Sequence, residues 1–79
     1  MSKTFLVTKY VITFIRDTRT YYLRNGNTPT QHVRLATLFD SSEKAKEFCD
    51  FLVMHRHPGI TDIKLIKVQV IVLLNHENN

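Results

Sequence analysis

The chain has a single cysteine and no long apolar run, and each of these shortages excludes a class of protein. Its one cysteine, Cys49, cannot form a disulfide within the chain, which favours a reducing compartment. The longest apolar run, residues 70–74, falls far short of the roughly 20 residues that a spanning helix needs. Residues 1–4 lack the shape of a cleavable signal. The sequence therefore predicts a soluble cytoplasmic protein without disulfides.

The composition is that of one small folded domain. The chain has 79 residues, of which 43% are apolar and 10% aromatic, so a disordered chain and two separate cores are both excluded. We expect a single domain over residues 1–79 that ends in a polar tail at 75–79. With 11 basic and 7 acidic residues, the net charge of +4 suits an anionic partner such as nucleic acid or an acidic protein surface. The alternative is an ordinary solvated basic face.

Four segments have the alternation typical of strands. Residues 5–15 are rich in β-branched and aromatic types and apolar on much of both faces, which predicts a central or covered strand. Residues 20–24 follow the polar break at 16–19 as a second short strand and form a hairpin with the first strand. Residues 32–38 alternate as a third strand. Residues 62–74 alternate most strongly and predict the last strand, placed beside the first.

One amphipathic helix is predicted between the third and fourth strands. Asp40 and Glu43 fit an N-cap and capping-box pattern, and apolar residues then recur at helical spacing from about 42 to 55. Pro58 and Gly59 end the helix. The element order predicts an α+β fold, β-β-β-α-β, in which a four-stranded, mainly antiparallel sheet has one helix packed on one face.

Enzyme chemistry finds little support in the sequence. No nucleophile-elbow, glycine-rich phosphate-loop or zinc-protease motif is present. Asp40 and Glu43 are interpreted as helix caps rather than an acid/base pair. Cys49 lies on the apolar face of the helix, which is typical of a buried, inert thiol. We therefore expect a protein without catalytic residues.

Three histidines and one aspartate form a candidate zinc site. His55 and His57 lie at the end of the predicted helix, which returns along the sheet towards the start of the third strand, where His32 lies. Asp62 follows just beyond the turn. Three imidazoles and a carboxylate suit a tetrahedral zinc ion. The alternative is that the helix-end histidines only favour the negative end of the helix dipole and His32 is a surface residue.

The first hairpin carries a candidate binding surface. Its members are the arginines and tyrosines of the hairpin and its exit: Arg16, Arg19, Tyr21, Tyr22 and Arg24. Arginine and tyrosine often anchor protein interfaces, and the same mix can stack on single-stranded nucleic acid. The alternative is that one tyrosine packs in the core and the arginines are merely solvated. Lys64 and Lys67 extend this basic surface or protect a sheet edge.

Several segments together resemble a known group of proteins. They are residues 9–12 (KYVI), 21–24 (YYLR), 33–36 (VRLA) and 39–45 (FDSSEKA), with Phe48. Over residues 9–51 this pattern is similar to small accessory proteins of phages and mobile elements, including anti-CRISPR inhibitors of type II RNA-guided nucleases. The resemblance implies a phage-encoded, non-enzymatic protein that binds such a nuclease in the bacterial cytoplasm and blocks its DNA loading or cleavage.

The charge of the chain narrows that expectation. A net charge of +4 departs from the acidic inhibitors that mimic DNA and argues against a mimic of the phosphate backbone, which leaves open an inhibitor that occupies an acidic or hydrophobic protein surface. The alternative function is that of a small basic nucleic-acid-binding protein. Salt dependence separates the two, because neutralising phosphates releases counterions and binding weakens steeply as salt rises.

Overall fold

A computed structural model describes residues 2–55 and 58–75. Within this part, three strands and one α-helix follow one another as β1 (Ser2–Arg16), β2 (Arg19–Tyr22), α1 (Ser42–Met54) and β3 (Ile60–Asn75). A 3-10 helix, Val33–Leu35, lies between β2 and α1. The α+β class is confirmed. In this part of the chain no helix is long and apolar enough to cross a membrane.

The three strands form one antiparallel sheet in the order β2-β1-β3. β3 pairs with β1 along nearly its whole length, from Ser2 opposite Asn75 to Arg16 opposite Ile60. The prediction that the last strand lies beside the first is therefore confirmed. β2 pairs only with residues 13–16 on the other edge of β1, and Phe39 makes an isolated bridge to Tyr10. Residues 2–9 of β1 consequently have β3 as their single strand neighbour in the described part.

β1 is covered on both faces in its second half, as its two-sided apolar pattern predicts. α1 lies over the face of Ile12 and Phe14, where Phe14 and Leu52 line a common cavity. Ala45 is fully buried in the helix, where its small side chain permits close packing. On the opposite face, Val11 is fully buried. The segment that contains the 3-10 helix covers the same face further along the sheet.

The segment that contains the 3-10 helix lines a separate cavity with β3. Val33 and Leu38 line it together with Val68 and Val70. The register pairs Val70 with Val7 and Val68 with Lys9, which places these side chains on the face of Val11. The sheet is therefore enclosed by a helix on one face and by an irregular segment on the other.

The predicted third strand, residues 32–38, is wrong. Leu35 donates its backbone N–H to the His32 carbonyl at 3.0 Å, and Ala36 donates to Val33, which makes a 3-10 turn. Thr37 donates its N–H to the Leu23 carbonyl at 2.9 Å, so the segment satisfies its backbone through local turns and single bonds rather than along a sheet edge. The sheet is thus three-stranded, and this part of the chain contributes only the bridges of Thr30 with Tyr22 and Phe39 with Tyr10.

The helix begins close to the predicted position but with a different cap. Ser41 is the N-cap, and its hydroxyl accepts a hydrogen bond from the Lys44 N–H at 3.1 Å. Asp40, the predicted cap, forms an ion pair with Lys9 instead. Glu43 is then one position too early for a capping box, and it remains in the first turn, where the helix dipole favours a carboxylate. The hydrogen bond and charge of Lys9 lower the pKa of the Asp40 carboxyl from its usual value.

The hairpin between β1 and β2 is closed by a two-residue turn, Asp17 and Thr18. Both residues have positive φ, 53° and 64°, which is the geometry of the type I′ turn that matches the twist of paired strands. Aspartate tolerates this region, whereas a β-branched threonine is strained there. The turn therefore carries a local conformational cost at Thr18.

We expect Thr18→Gly to stabilise the protein. Left-handed backbone costs a non-glycine residue about 1–2 kcal/mol, which the substitution removes. Glycine also gives the unfolded chain more conformational freedom, and this lowers the stability by about 0.5–1 kcal/mol. The net gain is between zero and about 1.5 kcal/mol, measured as a higher urea midpoint at unchanged slope. Thr20→Gly in β2 is the matched control and should destabilise, since glycine weakens a strand. A lower midpoint for Thr18→Gly would show that the turn is not strained.

Candidate hairpin-end interface

One face of the hairpin brings together an arginine pair and an aromatic pair. The register places Arg16 opposite Arg19 and Phe14 opposite Tyr21, and strand alternation puts these four side chains on one face. The Phe14 and Tyr21 rings are stacked, with centroids 6.0 Å apart and planes 14° apart. The guanidinium carbon of Arg16 lies 4.5 Å from the centre of the Tyr21 ring, within range of a cation–π interaction. We call Arg16, Arg19 and Tyr21 the hairpin-end cluster.

The tyrosine of this cluster packs on a buried phenylalanine. Phe14 is buried, Arg16 and Tyr21 are half-buried, and Arg19 is exposed. A buried phenylalanine thus holds the tyrosine ring, and the ring holds one arginine. The sequence prediction did not include Phe14, although its alternation with Arg16 and its place across the short hairpin were signals for it.

The other two predicted binding residues lie elsewhere. Tyr22 is opposite Thr13, on the other face of the sheet, and its backbone exchanges two hydrogen bonds with Thr30. Arg24 lies beyond the end of β2, where it lines an open groove with the loop at 25–28 and with Phe48 and Phe51 of α1. The five predicted residues therefore do not form one patch.

The loop that follows Arg24 begins with a tight turn. Asn27 donates its N–H to the Arg24 carbonyl at 3.0 Å, and Gly26 has a φ of 77° that suits glycine. The N–H of Asn25 donates to the Thr37 hydroxyl. These bonds hold Arg24 at the mouth of the groove against α1.

The predicted metal ligands are spread over three elements. His32 precedes the 3-10 helix and is exposed, and its N–H donates to the Thr30 hydroxyl. His55 ends α1, with its ring centroid 4.5 Å from that of Phe51. Asp62 lies at an irregularity of β3 with a φ of 55°, and its carboxylate is 3.3 Å from the Lys64 ammonium.

No three histidine, cysteine, aspartate or glutamate side chains come together as a metal site within residues 2–55 and 58–75. His57, the remaining predicted ligand, lies outside the described residues. Zinc binding by His32, His55, His57 and Asp62 therefore stays a prediction.

If these residues share a zinc ion, purified protein should contain nearly one zinc per chain by elemental analysis. A chelator should then lower the melting temperature, because the free energy of ligation adds to that of folding. His55→Gln should abolish the chelator effect. The matched control is His76→Gln, which changes a histidine outside the predicted set and should leave it intact. Metal-free protein with the same melting temperature in chelator and in added zinc would contradict the prediction.

Cys49 lies on α1 and is half-buried. Burial raises the pKa of its thiol, and the nearby Asp50 carboxylate acts in the same direction. A raised pKa disfavours the thiolate, which is the nucleophilic form.

Comparison with known proteins gives no assignment. No protein-family model matches the chain, and no significant match appears among curated proteins or solved structures.

Proposed function

We propose that this protein acts by binding another protein and that the hairpin-end cluster is its main contact surface. The observation that supports this best is the layered arrangement of Phe14, Tyr21 and Arg16, in which a buried ring holds a half-exposed ring and the ring holds a guanidinium. Side chains that are ordered before binding lose less conformational entropy on complex formation. Arginine and tyrosine are also the types most enriched among residues that dominate binding energies.

The proposed partner is a type II RNA-guided nuclease of a bacterial host, which the chain would inhibit without catalysing a reaction. Two arginines opposite each other at the end of a hairpin favour an acidic patch on that partner. The acidic Asp17 carboxylate in the turn between them is exposed and leaves the surface basic on balance. The chain would occupy the surface through which the nuclease loads or cleaves DNA.

The direct test is a cleavage assay with purified nuclease, guide RNA and labelled target DNA. We expect added protein to block cleavage and to co-elute with the nuclease, while labelled single-stranded and duplex DNA without nuclease remain unbound at 150 mM salt, roughly a physiological value. Binding to bare DNA with a steep salt dependence would instead support the nucleic-acid alternative. Absence of both inhibition and co-elution would contradict the nuclease proposal.

A further inference from the structure

A two-stranded ribbon extends from the body of the protein. Residues 2–9 of β1 pair with residues 68–75 of β3, beyond the reach of β2. The molecule is correspondingly elongated, with principal extents of 53 × 24 × 19 Å. Two-stranded antiparallel ribbons are marginally stable in water, and three or more strands are needed for independent stability. The ribbon therefore gains from a further strand at one of its edges.

Apolar side chains are exposed on both faces of this ribbon. On one face Leu6 and Ile71 are directly opposite each other and are 65% and 70% exposed, with Leu73 exposed beside them. On the other face Phe5 and Leu74 are also exposed. Contiguous exposed apolar residues of this kind are typical of interaction surfaces.

The two edges of the ribbon differ in how well their charges prevent pairing with another strand. Lysines on an edge strand discourage pairing with another strand, and the β1 edge carries Lys3 and Lys9 at either end of its free segment. The β3 edge has no charged residue from position 68 to position 75. β3 pairs with no strand other than β1 in the described part of the chain. β3 is thus the unprotected edge.

We propose that β3 pairs with β3 of a second copy of this chain, antiparallel across a two-fold axis at Ile71. The two sheets then become one continuous six-stranded sheet. A two-fold axis at Ile71 places Ile71 opposite its own copy on one face and Val70 opposite Val72 on the other, so an apolar pair forms on each face, while Gln69 lies opposite Leu73.

Charge supports a second copy as the occupant. In this register Lys67 lies opposite Asn75 of the other copy, and Lys64 lies beyond the paired segment. No lysine therefore faces a lysine across the axis, although both copies carry a net charge of +4. Pairing β1 edges at Leu6 would instead place Lys3 opposite Lys9. The hairpin-end cluster lies at the other end of β1, so the dimer leaves the proposed contact surface free.

Analytical ultracentrifugation of the full chain tests this proposal. We expect a concentration-dependent dimer of twice the 9.3 kDa chain mass. Ile71→Lys brings two ammonium groups together on the axis and should weaken dimerisation at least tenfold. Leu6→Lys is the matched control, because it places the same charge directly across the ribbon but on the β1 edge, and it should leave the dimer largely intact. Circular dichroism should show both variants folded, since both side chains are mostly exposed.

Cross-linking tests the register. With Cys49→Ser as background, Ile71→Cys places two thiols opposite each other at a separation suited to a disulfide, and mild oxidation should give a covalent dimer. Leu6→Cys in the same background should not. A chain that stays monomeric at concentrations of hundreds of micromolar would overturn the proposal. So would a dimer that survives Ile71→Lys, or one that cross-links through position 6 rather than position 71.

Discussion

Replacing Ile12 with alanine is expected to lower the free energy of unfolding by about 2–5 kcal/mol. Ile12 lies in the covered second half of β1 and is 0% exposed, so the substitution leaves a cavity in the core. Its backbone carbonyl also accepts the Leu23 N–H at 2.9 Å, which ties the exit from β2 to this point of the sheet. For a domain of this size the loss corresponds to a fall in melting temperature of at least about 8 °C.

The control for Ile12→Ala is Met54→Ala. Met54 is a large apolar residue at the end of α1, but it is 80% exposed, so its truncation should change the melting temperature by no more than a few degrees. Urea unfolding monitored by circular dichroism provides both free energies. Equal effects of the two substitutions would mean that Ile12 is not in the core and that α1 does not cover this face of the sheet.

Charge reversal at Arg19 and Arg24 should abolish inhibition of the nuclease. Arg19 is the exposed member of the hairpin-end cluster, and Arg24 borders the groove beside α1, so together they test the cluster and the predicted arginine outside it. Removing one dominant interface residue costs about 2 kcal/mol or more, which is roughly 30-fold in affinity. We therefore expect Arg19→Glu with Arg24→Glu to raise the half-inhibitory concentration at least about 30-fold while the circular-dichroism spectrum stays unchanged.

A matched variant separates a local contact from overall charge. Lys3→Glu with Lys44→Glu changes the net charge from +4 to 0, as does the arginine double variant, but at exposed positions on the ribbon and on α1. It should inhibit nearly as well as the unmodified protein. Equal loss in both variants would show that general electrostatic attraction brings the partners together. Full inhibition by the arginine variant would place the interface on another surface of the protein.

Part of the candidate site follows from the sequence and part does not. The polar break at 16–19 predicts a hairpin, and alternation along its strands then places Arg16, Arg19 and Tyr21 on one face. The same alternation sends Tyr22 to the opposite face. Arg24 lies past the last paired residue, where the turn at 24–27 sets its direction. Closeness in sequence therefore predicted which residues share a surface only where those residues are paired in the hairpin.

Local patterns in the sequence determined the α+β class, the hairpin and the length of the helix. They did so because each depends on periodicity, turn residues or caps within a short window. Contacts between residues distant in the sequence decided the helix cap, the strand pairing and the structure of residues 32–38. Asp40 forms an ion pair with Lys9, so Ser41 caps the helix instead. β3 pairs along one whole edge of β1. Residues 32–38 alternate like a strand, but their backbone satisfies its hydrogen bonds in a 3-10 turn and at Leu23 rather than along a sheet edge.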